Sequence, residues 1–234
     1  MADSAVTVVA GVGPGLGLAL CRRFAEGGHK VAMLARSAER LHRLAGGDDR
    51  LHAYPCDVSD PETVRAQFEK LTAELGTPDV VIHNASSFPR ASVAELDPAD
   101  LERSWQIGCF GGFLIGQAAA RLMQPRGQGT ILFTGATGSL RGGSGFAAFA
   151  IQKFGLRALA QSMARELGPQ GIHVAHVIID GQIRSPRFEH LLEQRGPSSL
   201  LEPSSIAESY WQLHQQPRDA WTFEIELRPW VERF

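Results

Sequence analysis

Residues 6–17, VTVVAGVGPGLG, constrain this chain more than any other stretch. Val6, Val8 and Val9 form a short β-branched apolar run, the composition of a strand buried on both faces. Three glycines follow as Gly11-x-x-x-Gly15-x-Gly17, and LALCRRFAEGG continues at helical spacing. Between a strand and a helix, such glycines allow a sharp turn. They also let backbone N–H groups and the positive helix end approach a pyrophosphate. Gly11, Gly15, Leu16 and Gly17 are therefore candidate cofactor-binding residues. An ordinary strand-to-helix turn is the competing reading.

The rest of the chain repeats the alternation. Strands are expected at 30–35, 51–55, 79–83, 130–134 and 173–179, and helices at 16–26, 38–45, 60–75, 97–123, 145–168 and 204–215. Ser37, Asp60 and Asp97 stand where N-caps belong, with Pro61 and Pro98 one residue inside. WTFEIEL at 221–227 alternates apolar and polar residues, the period of a final half-buried strand. Residues 180–203 are polar and proline-bearing, so an irregular loop on the substrate side is expected, with a short helix near 188–194. Alternating strands and helices give a doubly wound α/β domain, three layers deep, over residues 1–234.

Composition narrows the partners. The 234 residues carry 44% hydrophobic and 21% charged side chains and a net charge of −2, which favours neither nucleic acid nor an anionic membrane. No apolar run reaches transmembrane length, and no basic or secretory leader is expected before the first strand. Cys21, Cys56 and Cys109 are scattered without metal-ligand spacing, and His173 and His176 face opposite sides of a strand, so no metal is expected. A cytoplasmic location is expected.

Further landmarks fall in a telling order: Asp57 after the third strand, His83-Asn84-Ala85-Ser86 after the fourth, Lys153 on the helix after the fifth, then Arg165-Glu166-Leu167 and Gly171-Ile172-His173-Val174. With the glycine turn, they resemble the short-chain dehydrogenase/reductase family over nearly the whole chain. The resemblance implies a Rossmann-type, seven-stranded, mainly parallel sheet, a nicotinamide dinucleotide across the strand ends, and a homodimer or homotetramer. Asp57 and Val58 would flank the adenine, Asn84 and Ala85 the inner ribose, and Gly181 and Ile183 the nicotinamide. Lys153 would hold the nicotinamide ribose. Ser86 stands where the family usually has glycine. After the second strand, Arg36 and Ser37 replace the acidic residue that would accept the 2′-hydroxyl of NAD, so NADP(H) is expected over NAD(H).

The catalytic set departs from that family. It uses Asn, Ser, Tyr and Lys, with Tyr and Lys one helical turn apart. Here Lys153 is kept, but Phe149 stands at the tyrosine, Ala136 at the serine and Gly108 at the asparagine. Phe146 occupies the alternative tyrosine position of the related enoyl reductases. Tyr54 and Tyr210 lie too far along the chain to substitute. Asp180 is the sharpest candidate for a displaced general acid, with a turn-capping role as its alternative. Two functions stay open. One is an NADP(H)-dependent oxidoreductase working by an altered mechanism on a small apolar carbonyl, alkene or imine. The other is a catalytically inactive NADP(H)-binding protein acting as sensor or assembly partner.

Overall fold

The computed structural model describes residues 4–185, 188–196 and 198–232. Five central strands form because apolar runs, rich in β-branched residues in all but β2, fit a pleated surface buried on both faces. They are β1 (Val6–Ala10), β2 (Lys30–Ala35), β4 (Val80–His83), β5 (Gly129–Thr134) and β6 (Ile172–Ile179), flanked by β3 (Leu51–Pro55) and, at the other edge, β9 (Glu224–Leu227). The order is β3-β2-β1-β4-β5-β6-β9, with every pair parallel. In register, Ala10 lies beside Leu34 and His83, and His83 beside Phe133. The carboxyl ends of the central strands therefore share one rim.

Alternation along β1 divides the core. Val8 packs with Phe68 and Leu71 of α3 (Pro61–Leu75), Ile115 of α5 (Gly111–Met123) and Leu156 of α6 (Ala147–Leu167). Val9 packs on the other face with Leu20 and Phe24 of α1 (Leu16–Glu26), Leu41 of α2 (Ala38–Ala45) and Tyr210 of α8 (Pro203–His214). The expected caps are present: Ser37, Asp60 and Asp97 accept from the N–H groups of Arg40, Glu62 and Ala99. Each such cap contributes about 1 kcal/mol. No helix among the described residues is long and apolar enough to cross a membrane.

Three expectations need correction. The helix expected at 97–123 is broken into α4 (Pro98–Trp105), a widened turn at Gln106–Phe110, and α5. Gly111 donates its N–H to Gln106 O, five residues back, and a Cβ on Gly111 would lie 2.9 Å from Val58 O. Glycine therefore permits the helix to sit against the nucleotide-side loop. The last strand is shorter than 221–227, because Thr222 is held by Gln216 in a two-way hydrogen bond and Trp221 stacks on His173. Within 180–203, β7 (Gln182–Ile183) pairs with β8 (Leu200–Leu201), and α7 is His190–Arg195. The expected short helix thus lies further along, and residues 186, 187 and 197 of that segment fall outside the described residues.

Candidate active site

The turn after β1 is built for close approach. Gly11 adopts φ +97°, and a Cβ there would meet the backbone of Ala85, with its Cα 2.6 Å away. A Cβ on Gly17 would lie 2.7 Å from Gly11 O, so α1 can start tight against the turn. Gly13 and Gly15 instead face open space. Asn84 donates from Nδ2 to Gly11 O at 3.0 Å and ties the loops after β1 and β4 together. No side chain caps α1, in contrast to α2 and α3. An uncapped helix start behind open glycines fits a phosphate group.

Beside this turn lies a cavity of about 300 Å³ lined by Gly11, Gly13, Arg36, Arg40, Asp57, Val58, Asn84, Ala85 and others. Asp57 directs Oδ1 into its own turn, accepting from Ser59 N and Oγ at 3.0 and 2.6 Å. Arg36 and Arg40 bring two guanidiniums to the same wall. Arg40 escaped the sequence reading, although its place one helical turn after the Ser37 cap was a usable signal. Ser37 is not part of the lining; its Oγ caps α2.

A second cavity, about 710 Å³, continues past Leu16, Asn84 and Ser86. At its inner end Lys153 is buried and donates from Nζ to Thr134 O at 2.6 Å. Burial alone pushes this ammonium down to a pKa of about 8. Phe149 shares the helix face, its ring centroid 5.9 Å from Nζ and 4.6 Å from the ring of Phe88. Ala136 lines the wall with only a methyl group. Gly181 and Ile183 close the far side, next to Gln182 and Phe188.

Gly108 does not line the larger cavity, and the space a side chain there would need is taken by the amide of Gln152. Gln152 is fully buried and fully engaged. Its Nε2 donates to Ser87 O and Ser104 Oγ, both at 2.6 Å, and its Oε1 accepts from Ser86 Oγ at 3.2 Å. His83 approaches Gly108 O with Nε2 at 3.2 Å. Burial and the nearby Lys153 charge hold its pKa at about 3, so the neutral ring donates from Nε2.

Asp180 is buried but absent from the cavity lining. It accepts from Thr137 Oγ1 at 2.5 Å and pairs with Arg228 at 3.1 Å, while Arg141 stays 3.8 Å away. This geometry ties the loop after β5 to the chain beyond β9 and offers the cavity no proton. Neither tyrosine reaches the cavity: Tyr54 donates to Glu74, and Tyr210 bonds Thr134 Oγ1 from the opposite face. Ser139, His176 and Glu224 form a hydrogen-bonded line at 3.4 and 2.9 Å that ends on Arg157. Despite the nucleophile-like order, Ser139 and His176 are fully buried and do not line the cavity. The line instead braces Ala136, whose N–H donates to Ser139 Oγ. No cluster of metal-ligating side chains occurs among the described residues.

A parallel seven-stranded sheet, a glycine turn and two joined cavities at the strand ends define a dinucleotide-dependent oxidoreductase fold. Residues 5–195 match the profile of the short chain dehydrogenases, and the chain belongs to that family. The 3-oxoacyl-[acyl-carrier-protein] reductase MabA of Mycobacterium avium is 30% identical over 195 residues, 83% of this chain and 73% of the reductase. A short-chain dehydrogenase from Rhodopseudomonas palustris superposes with a TM-score of 0.83 at 40% identity, covering 97% of this chain and 99% of that one. An alcohol dehydrogenase from the archaeon Thermococcus sibiricus, complexed with 5-hydroxy-NADP, shares the fold at TM-score 0.85 and 24% identity, over 98% of both chains.

Proposed function

We propose that the chain is an NADP(H)-dependent reductase of small, largely apolar substrates in which Lys153 takes over the supply of the proton. The observation that carries this reading is the pair of cavities joined at Asn84 and Ser86, with two arginines at one end and a buried lysine at the other. Gly11, Gly15, Leu16 and Gly17 would cradle the pyrophosphate, and Asp57, Val58 and Ala85 the adenosine. Arg36 and Arg40 suit a 2′-phosphate, since guanidiniums chelate phosphate oxygens that a carboxylate would repel. Gly181 and Ile183 suit the nicotinamide. When bound, the cofactor supplies a hydride.

The proton must come from the chain or from water. Of the titratable side chains lining the larger cavity among the described residues, Arg141, Arg195 and Glu232 are exposed and only Lys153 is buried. An ammonium with a pKa of about 8 carries a proton at neutral pH and gives it up more easily than an ordinary lysine. Thr134 O holds Nζ in place, and Phe149 keeps the adjacent space apolar. This arrangement suits an imine or an activated alkene at least as well as a carbonyl.

The test is NADPH oxidation against a panel of carbonyls, enones and cyclic imines. Turnover of at least one class, lost in Lys153→Met, supports the reading. Tight NADPH binding with no turnover across the panel selects the second reading, an inactive nucleotide-binding protein, which the loss of polar groups at Phe149, Ala136 and Gly108 favours. Trp105, Phe113, Ile151 and Phe154 expose apolar surface along α4, α5 and α6, which supports a homodimer or a larger homo-oligomer through these helices. The reading keeps the cytoplasmic location.

A further inference from the structure

The mouth of the larger cavity joins two features that a purely apolar substrate would not use together. One wall is aromatic: Phe88 packs edge-on against Phe149 at 4.6 Å and at a tilt against Phe146 at 5.3 Å. Phe88 nonetheless leaves 55% of its surface exposed, an unusual cost for so large an apolar side chain at a cavity rim. The other feature is cationic. Arg141 and Arg195 line the same cavity, opposed there, among the described residues, by Glu232. Arg141 has one nearby acid, Asp180, at 3.8 Å, which is beyond hydrogen-bonding distance. That carboxylate already accepts from Thr137 and pairs with Arg228. Arg195 forms no ion pair among the described residues. With Lys153 at the inner end, the lining holds three cations and one anion among the described residues.

From this juxtaposition we infer that the substrate is a planar or aromatic molecule bearing a carboxylate. Its flat body packs against Phe88, Phe146 and Phe149, and its acid group meets Arg141 and Arg195. The inference rests on the reductase reading and adds the chemical class of the molecule it acts on. The reacting bond would lie toward Lys153, one cavity length from the acid group. Offset or edge-on ring contacts favour a flat partner over a branched aliphatic one. A guanidinium fork favours a carboxylate over a neutral polar group of the same shape. Glu232 adds selectivity by repelling a second acid group.

The experiment compares 3-phenylpropanoate with the isosteric 3-phenylpropanamide by isothermal titration calorimetry, on the full chain with and without saturating NADP+. The acid is expected to bind about tenfold more tightly, as a charge-assisted pair at a half-open site provides. The advantage should shrink as salt rises. In Arg141→Gln/Arg195→Gln the acid should fall to the level of the amide while the amide is unchanged, which also shows that the variant is folded. Phe88→Ala should weaken both ligands alike. Equal affinities for acid and amide, or an acid preference that survives loss of both arginines, overturns the inference. Failure of NADP+ to bind in the same preparation counts against the reductase reading alone, because the acid–amide comparison is made without nucleotide as well.

Discussion

The Gln152 amide occupies the space that any side chain at Gly108 would enter, so the two positions are coupled through one volume. Gln152 joins α6 to α4 through Ser104 and to the loop after β4 through Ser86 and Ser87. It also immediately precedes Lys153. The resemblance to the family leads one to expect an asparagine at position 108, on the opposing helical segment. Here the amide arrives from α6 instead, and glycine is the residue that leaves it room.

That coupling makes a double-mutant cycle informative. Gly108→Asn alone should be strongly destabilising, on the order of 3 kcal/mol, because it overpacks a buried and satisfied amide. Gln152→Ala alone should cost about 2 kcal/mol by stranding Ser104 and the Ser87 carbonyl. Combined, the two should cost clearly less than their sum. Urea denaturation of the four proteins measures this, and strict additivity would show that the residues do not share space. Adding Ala136→Ser and Phe149→Tyr to the double variant should then raise carbonyl reduction above that of the native chain, read as NADPH oxidation.

Lys153 gives a pH dependence of defined sign. Its pKa is lowered from 10.5 to about 8, so between these values the unfolded chain holds more protons than the folded one. Stability contributed by this site therefore rises as pH increases from 8 toward 10.5. Catalysis runs the other way. The rate constant kcat for reduction should fall as pH rises through about 8, because the proton donor is lost. Lys153→Arg should remove that limb and most of the activity. An unchanged kcat from pH 7 to 10 would exclude Lys153 as the acid.

The opposite rim of the sheet carries an acid-sensitive cluster. His29 bonds Thr7 at 2.7 Å, His214 bonds Thr130 at 3.0 Å, and the two rings lie 5.4 Å apart, nearly perpendicular. Burial, then the charge of His29, holds His214 at a pKa of about 4, with Asp79 acting weakly in the other direction. Burial also lowers His29 and His173. A depressed folded pKa means stability is complete above the unfolded value of about 6.5 and is lost as pH falls toward 4. His214 accounts for about 2 kcal/mol of that loss after allowance for solvent. Thermal melts from pH 7 to 4 should show the decline, and His214→Asn should flatten it. A curve identical to the parent would contradict this assignment.

Local chemistry made much of the fold legible. Caps at Ser37, Asp60 and Asp97 marked helix starts because each side chain bonds an N–H two or three residues ahead. The glycine turn was legible because strand, turn and helix are contiguous. The break at Gln106–Phe110 was not, since its apolar pattern also suits one continuous helix and the cause lies in contacts with Val58 and Gln152. Gln152 was invisible for the same reason: its partners are distant in sequence. Asp180 stood out in the sequence as an acid near the nicotinamide segment, but Arg228, which pairs with it, comes from beyond the last strand.

The most direct test of the nucleotide assignment is fluorescence titration of NADPH and NADH against the native chain and Arg36→Ala/Arg40→Ala. The two arginines should make NADPH bind at least about tenfold more tightly than NADH, and that difference should vanish in the double variant while NADH affinity is little changed. Equal affinities in the native chain, or tighter binding of NADH, would contradict it.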